Sequence, residues 1–265
     1  MINPEATHNF IPAKRQDMII QIIKDRRIVR VDELSEHLHV TEMTIRRDLQ
    51  VLEKRGVLER THGGAVYSDR VHLEPPYTQK TQQHQREKEA IGRLASTLIA
   101  EGDTVFVNSG TTTLQFLRHL SVSRARIVTN NPWIPLEPLP EGIKILLTGG
   151  ELRRESFTLV GEAAIQSVNK VFGTKAIIGV DGFSLKHGIT TPVQEEALLN
   201  GLMIEQTHGE VIVVADSSKF GKVSNFLTAQ ASSVDTVVTD AGLDEQYREG
   251  LQRLGIRVLI AETGE

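Results

Sequence analysis

Apolar residues in the N-terminal part of the chain recur at helical spacing, whereas those further on gather into short continuous runs. In KRQDMIIQIIK (14–24), Met18, Ile19, Ile22 and Ile23 share a face, which predicts an amphipathic helix behind Pro12. RIVRV follows as a short strand. Asp32 is placed to cap a second helix, DELSEHL, with Leu34 and Leu38 on one face, and Val40-Thr41 makes the break before a third, with Thr41 as its N-cap. That third helix, EMTIRRDLQVLEKRG, carries Ile45, Leu49 and Leu52 at i, i+4, i+7 and ends at Gly56, which suits a left-handed C-terminal position. VLERTHGGAVY then reads as two short strands around Gly63-Gly64. Three helices and a hairpin over residues 13–68 are the layout of a winged helix-turn-helix.

From Ser68 to about Arg86 the pattern turns polar, with Pro75-Pro76 and no sustained apolar face, so residues 69–86 are expected to be a linker. Over residues 87–265 helical segments alternate with TVFV (104–107), RIVTN (126–130), IKILLTGG (143–150), AIIGVDG (176–182), EVIVVADSS (210–218), DTVVTD (235–240) and RVLIA (257–261). Near-continuous Val/Ile/Leu strands separated by helices indicate a mostly parallel sheet covered on both faces. The second domain is therefore expected to be α/β and Rossmann-like, with ligands at the C-terminal ends of its strands.

Composition bounds the functional classes. At 265 residues, 39% hydrophobic and 24% charged, the chain fits ordinary globular domains. No apolar run reaches membrane-spanning length, and MINPEATHNF lacks the basic-then-apolar layout of a secretory signal, so a cytoplasmic protein without membrane association is expected. The absence of cysteine excludes disulfides, thiolate metal sites and Cys nucleophiles; no metal site or cofactor is anticipated. The net charge of −4 argues against binding nucleic acid by overall charge, but it divides into +2 over residues 13–70 and −6 over the rest. Any DNA contact must be local.

On the third helix the face opposite Ile45, Leu49 and Leu52 holds Met43, Arg47 and Gln50, flanked by Thr44 and Arg46. Such residues can read a major groove: Arg pairs bidentately with guanine, Gln with adenine, and methyl surface meets thymine. Thr41 joins the set at the start of that helix. Arg60, Thr61 and His62 before the Gly-Gly turn are candidates for contacts to phosphate or the minor groove, and Lys14 and Arg15 for anchoring the first helix to the DNA backbone. The same pattern also fits a small helical lobe whose arginines are only solvated.

VFVNSGTTTLQFL (105–117) reads as strand, turn and helix opening. Gly110 lets backbone N–H groups approach an anion, and the hydroxyls of Ser109, Thr111, Thr112 and Thr113 sit where a helix dipole is positive, which suits a phosphate monoester. An N-cap turn that binds nothing has the same letters. Thr148-Gly149-Gly150, Asp181-Gly182, Thr190-Thr191 and Asp216-Ser217-Ser218-Lys219 all fall at or just past strand ends, which gathers them on one rim. There Asp181 can accept sugar hydroxyls, Lys219 can neutralise phosphate, and Asn108 and Asn130 can serve either end through their amides, with Gly149, Gly150 and Thr190 completing the set. Asp216 also suits a plain turn cap, and Arg153-Arg154 a solvated face.

VDELSEHLHVTEMTIRRDLQVLEKRGVLERTHGGAV strongly resembles the N-terminal winged helix-turn-helix of the DeoR family of bacterial sugar-metabolism repressors, down to its TIRRDL core and RTHGGA wing. The resemblance continues through NSGTTT, LTGGELRR, GVDGF, GITTP and VADSSKFG in family order, over almost the whole chain. It implies a transcriptional repressor of a sugar-metabolism operon whose affinity for double-stranded operator DNA is set by a phosphorylated sugar in the C-terminal domain. It also implies a ribose-5-phosphate-isomerase-like fold, in which the segments similar to 108–113, 180–182 and 216–219 line the substrate site. Repeated half-sites match two-fold symmetric proteins, so a homodimer or homotetramer is expected.

The alternative function is an active sugar-phosphate isomerase with an accessory DNA-binding lobe. Isomerisation needs a carboxylate base and a second group to manage the oxygen protons. The isomerase pattern continues its Asp-Gly with further acids, whereas Phe183-Ser184-Leu185 follows here; Glu195 and Glu196 remain as bases or as helix caps. No catalytic residue is therefore assigned. A third reading is a constitutive DNA binder whose α/β domain only oligomerises. One departure from the commoner family pattern is Asn108, where Asp frequently precedes SGTT; it removes a charge beside the phosphate.

Overall fold

The computed structural model describes residues 12–26, 28–54, 58–61, 63–67 and 77–263, and divides between residues 73 and 74 into two compact units. The N-terminal unit contains α1 (Pro12–Arg26), β1 (Ile28–Arg30), α2 (Val31–Leu38), α3 (Glu42–Lys54), β2 (Leu58–Thr61) and β3 (Gly64–Tyr67). Ile19, Ile23, Leu34, Leu38, Ile45, Leu49, Leu52 and Leu58 form its core. β1 joins the hairpin, giving a three-stranded antiparallel sheet in the order β1-β3-β2. Gly64 makes this possible, because an added Cβ would come within 2.0 Å of the Val29 carbonyl oxygen.

Two local expectations change here, and a third is not tested. α2 begins at Val31, one residue before Asp32, which instead pairs with Arg30 at 3.1 Å and accepts from the Glu33 N–H. Gly56 lies outside the described residues. Arg15, anticipated as a DNA-backbone contact, is buried: its guanidinium bonds both oxygens of Asp48, at 2.5 and 3.3 Å, and Gln16 donates to the same carboxylate at 3.0 Å. Asp48 of the TIRRDL core thus ties α3 to α1 from inside. Arg15 cannot turn outward without leaving a carboxylate unpaired in the core.

The C-terminal unit runs α4 (Tyr77–Gln82), α5 (Gln85–Ser96), β4 (Thr104–Val107), α6 (Thr111–Arg118), β5 (Ala125–Thr129), β6 (Ile143–Leu147), β7 (Glu151–Arg153), β8 (Thr158–Val160), α7 (Glu162–Val168), β9 (Gly173–Gly179), β10 (Gly182–Ser184), β11 (Gly188–Thr191), α8 (Gln194–Glu205), β12 (Thr207–Val214), β13 (Phe226–Ala229), β14 (Thr236–Asp240), α9 (Glu245–Arg253) and β15 (Arg257–Ala261). The seven expected strands build one sheet, β15-β14-β12-β9-β4-β5-β6, and every pairing in it is parallel. Strand alternation sends Val105, Val107, Ile127, Ile177 and Ile212 into one core and Phe106, Val128, Ile178 and Val213 into the other. Both faces are therefore covered, and the order makes a Rossmann-type sheet whose winding reverses between β4 and β9.

Some strand ends differ from the sequence pattern. The run through 176–182 is two elements, since β9 stops at Gly179 and β10 belongs to a small antiparallel sheet with β11 and β13. IKILLTGG stops at Leu147 and EVIVVADSS at Val214, because the following residues turn at the sheet's end. Within the expected linker, Tyr77–Gln82 is helical and α5 starts at Gln85. α4 buries no residue fully; it is held by polar contacts, including the Tyr77 N–H to the Glu155 carbonyl at 3.2 Å and Lys80 to Asp181 at 2.9 Å, which hydropathy does not register.

Removing Asp48 should strand a buried guanidinium and cost the N-terminal unit about 3–5 kcal/mol. Hydrogen exchange on the full chain checks this: in Asp48→Ala the α3 amides should lose protection while the seven-stranded sheet keeps its own. Unchanged α3 protection would show that the pair contributes nothing.

Candidate functional site

The winding reversal leaves a crevice above β4 and β9, where open α/β sheets bind ligands. Asn108, at the end of β4, closes it from below. Its Nδ2 donates to the Gly179 carbonyl at 2.9 Å and its Oδ1 accepts the Gly179 N–H at 2.8 Å, joining the two strand ends. The next residues are braced in turn. The Ser109 N–H donates to Asn130 Oδ1 at 2.7 Å, and the Ser109 hydroxyl donates to the Phe157 carbonyl at 3.0 Å. The Thr113 hydroxyl donates to the carbonyls of Asn108 and Gly110, at 2.7 and 3.1 Å. Phe157 sits at φ 51, a conformation costly for a bulky residue, with its ring against Tyr77 and Trp133 at centroid distances of 5.4 and 5.2 Å.

This bracing sorts the expected site residues. Asn108, Ser109, Gly110, Thr111, Thr112, Asp181, Thr190 and Lys219 line one cleft. Thr113 and Asn130 do not line it: both are fully buried and spend their polar groups on the turn. Gly149 and Gly150 also lie outside the lining, at φ 69 and 105, where they turn the chain from β6 into β7. Left facing the cleft are the Thr111 and Thr112 side chains and the first-turn N–H groups of α6, which no carbonyl within the helix can satisfy. Backbone donors at a helix N-terminus suit an anion.

The charges come from elements the sequence pattern did not single out. Lys80 on α4 and Lys88 on α5 line the cleft with Lys219. Lys80 binds Asp181 Oδ1 at 2.9 Å, and the Thr191 hydroxyl donates to Oδ2 at 3.0 Å. Burial alone would raise the Asp181 pKa; the Lys80 ammonium, with Lys219 and Thr191, outweighs it and holds the carboxyl below the ordinary value. Lys88 is almost wholly buried, and its ammonium donates to the carbonyls of Lys80 and Gln83 at 2.5 and 2.7 Å. Burial pushes its pKa down to about 8, with Asp216 opposing the shift and Lys219 and Lys80 adding to it. The Lys219 ammonium has no hydrogen bond or ion pair among the described residues.

Thr191, expected on the rim, Val180, within the expected segment 180–182, and Glu196, read as a base or a helix cap, also line it, and Tyr77, Gln83, His84, Ser156, Thr158, Gly179, Ile189, Asn200 and Thr228, none of them anticipated, complete the lining. Arg153, read as solvated, reaches Glu196 at 3.5 Å. Asp216 caps a short turn, accepting from the Ser218 N–H at 3.2 Å. Chemically the cleft offers helix-terminal donors, three ammonium groups, two held carboxylates and several neutral hydrogen-bonding groups. That set can hold a phosphate monoester at one end and hydroxyls elsewhere.

The N-terminal unit keeps its expected reading face outward. Met43 is 63% exposed, Arg46, Arg47 and Gln50 are exposed, and Thr44 is half-buried. Arg46 pairs with Glu42 at 2.9 Å, whereas Arg47 has no partner among the described residues. Thr41 caps α3, accepting the Thr44 N–H at 3.3 Å. Lys14, Arg60 and Thr61 are exposed, Arg60 at 4.0 Å from Glu53, and His62 lies outside the described residues. Among the described residues no group of His, Asp and Glu could hold a metal ion, and no helix is long and apolar enough to cross a membrane.

Residues 15–71 match the DeoR-like helix-turn-helix domain, and residues 83–241 match the DeoR C terminal sensor domain. The HTH-type transcriptional regulator GlpR of Haloferax volcanii is 37% identical over 94% of this chain and 98% of its own length. The HTH-type transcriptional repressor GlcR of Bacillus subtilis is 33% identical over 93% and 95%. Among solved structures, ribose 5 phosphate isomerase A from Neisseria gonorrhoeae shares 16% identity over 52% of this chain and 54% of its own, with a TM-score of 0.34.

If Lys88 lends its charge to a bound anion, affinity must fall as the group deprotonates. Titrating the full chain with inorganic phosphate should show about tenfold weaker binding at about pH 9 than at about pH 7.5. Lys88→Gln should be weaker throughout and flat across that window. A flat profile in the unsubstituted chain would remove Lys88 from the anion site.

Proposed function

The chain belongs to the DeoR family of helix-turn-helix transcriptional regulators, and from that premise we propose that it represses a sugar-metabolism operon under control of a phosphorylated sugar bound in the cleft. The observation that carries this reading is the braced turn at 108–113. Its helix-terminal donors and the lysines beside them meet at the reversal of the sheet, in a chain that also exposes Arg47 on a recognition helix. Arg47, Gln50 and Met43 read bases, Arg46, Thr44 and Thr41 flank them, and Lys14, Arg60 and Thr61 contact the DNA backbone.

Control of DNA affinity requires that the ligand bind two conformations unequally, and differences of about 5–150-fold are typical. α4 suits the moving part. It is the first described element after residue 67, and its Lys80 holds Asp181, a carboxylate that a sugar hydroxyl can also engage. A ligand bonding Asp181 weakens that hold and changes the position of α4.

A homo-oligomer is part of the proposal. β6 is an edge of the sheet, and its consecutive residues Ile145, Leu146 and Leu147 are 38%, 39% and 36% exposed, so both faces of the strand and its backbone edge stand open. Edges of this kind pair with another chain unless covered, and a second copy of β6 meets it symmetrically.

The cleft is read as a sensor, not as a catalyst. Asp181, the residue an isomerase would need as base, is engaged by Lys80 and Thr191, and the buried Phe183 follows instead of a further acid. Ribose 5-phosphate incubated with the chain is expected to yield no ketose; turnover abolished in Asp181→Asn would establish the isomerase instead.

Two substitutions separate the functions. On an operator fragment selected in vitro with the unsubstituted chain, Arg47→Ala should lower affinity by roughly 1–3 kcal/mol and leave ligand binding intact. Thr112→Glu places a negative charge at the anion's position, so DNA binding should persist while the response to every sugar phosphate is lost. Undiminished operator affinity in the first, or a retained response in the second, refutes the corresponding assignment.

A further inference from the structure

The cations and helix-terminal donors account for one end of a ligand and leave the other unread. Asn200, on α8, lines the cleft and is 8% exposed, and its Oδ1 is enclosed without a hydrogen-bond partner among the described residues. A buried amide oxygen left unsatisfied is costly, and native structures supply a partner from protein, water or ligand. Its position is fixed. Gly201 allows α8 to lie against β13, because an added Cβ would stand 2.8 Å from the Thr228 carbonyl oxygen, and Thr228 itself lines the cleft. Glu196, one turn earlier on α8, is engaged with Arg153 at 3.5 Å. Asn200 is thus a neutral, rigidly held hydrogen-bonding group in a site whose positive charge is carried by Lys80, Lys88 and Lys219.

The chemistry of an amide selects its complement. Asn carries one accepting and one donating end, and a half-turn of the amide exchanges them with almost no change of shape. A phosphate dianion only accepts, and the lysines outcompete an amide for it. An alcohol both donates and accepts, so it matches the amide in either orientation. We propose that Asn200 is a specificity-determining residue of the cleft, hydrogen-bonding a hydroxyl on the carbon chain of the ligand while the anionic end lies at the turn of residues 109–112. This inference rests on the sugar-phosphate reading of the cleft and adds that the polyol chain reaches α8.

The full chain, Asn200→Leu and Asn200→Ser are titrated with inorganic phosphate and with a panel of pentose and hexose monophosphates. Inorganic phosphate should bind all three proteins within about twofold. The best sugar monophosphate should bind the unsubstituted chain more tightly than phosphate does, lose about tenfold or more in Asn200→Leu, and fall between in Asn200→Ser, whose hydroxyl keeps part of the interaction. Should Asn200→Leu fail to fold by circular dichroism, Asn200→Ser decides, with any loss confined to the sugar phosphates supporting the assignment. A sugar monophosphate that keeps its full margin over phosphate in the variants overturns it, as does a panel in which no sugar phosphate exceeds phosphate. If inorganic phosphate itself does not bind the unsubstituted chain, the anion reading of the cleft fails and this inference fails with it, a result distinct from the loss of the sugar margin alone.

Discussion

A single carboxamide at the point where the sheet reverses its winding governs the C-terminal unit. By giving Nδ2 to the Gly179 carbonyl and taking its N–H on Oδ1, Asn108 fastens the ends of β4 and β9 where the chain continues into Ser109 on one side and Val180 on the other. An aspartate carboxylate could accept from Gly179 but could not donate to it. The amide at this position therefore serves the backbone first, and its neutrality beside the cleft follows from that. Because the clamp fixes where β4 ends, it also fixes where α6 begins, and with it the direction of the donors at residues 111–112.

Around that clamp the polar groups divide into those consumed in holding the turn and those left to a ligand. Ser109, Thr113 and Asn130 are consumed, while Thr111, Thr112 and Lys219 are left. Lys88 stands between the two classes. Its ammonium closes the C-terminal carbonyls of α4, where a helix carries partial negative charge, and this is what makes a buried lysine tolerable. The same burial holds its pKa near 8, so the group is charged at neutral pH with little margin. A bound anion would widen that margin, and Lys88 would then couple occupancy of the cleft to the end of α4.

Much of this was legible in the sequence wherever burial alone decides the structure. The inner strands of the sheet were visible because a strand covered on both faces is apolar at nearly every position, and the core of the recognition lobe because Ile45, Leu49 and Leu52 repeat at helical spacing. Polar residues were harder, since the residue type does not say which way it points. Arg15 and Asn130 are as hydrophilic as Arg47 and Asn108, yet one closes the core of its unit and the other props up a turn. α4 escaped notice because it is fastened by ammonium groups and carbonyls. Two signals could have been used. Lys88 shares a helical face with Ile91 and Ala95, all three buried, and Asn200 interrupts the apolar run ALLNGLM. A polar group on a buried face needs a partner, and both of these line the cleft.

Which part can move is set by the same accounting of bonds. The 108–113 turn is tied to β9, to the end of β5 and to the Phe157 carbonyl, and α6 behind it buries Phe116 and Leu117 completely. Opening it would break several hydrogen bonds and expose core at once. α4 buries nothing fully and rests on the Lys80–Asp181 pair, the Tyr77 N–H to Glu155, one ring contact with Phe157 and the Lys88 ammonium at its end. Local stability is lowest where apolar burial is least, and ligand-responsive elements are drawn from that end of the range. Of these holds, the Asp181 carboxylate and the Lys88 ammonium also belong to residues that line the cleft. On the proposed reading, occupancy acts on α4 through groups that the ligand touches directly, while the turn at the anion's end stays fixed to the sheet.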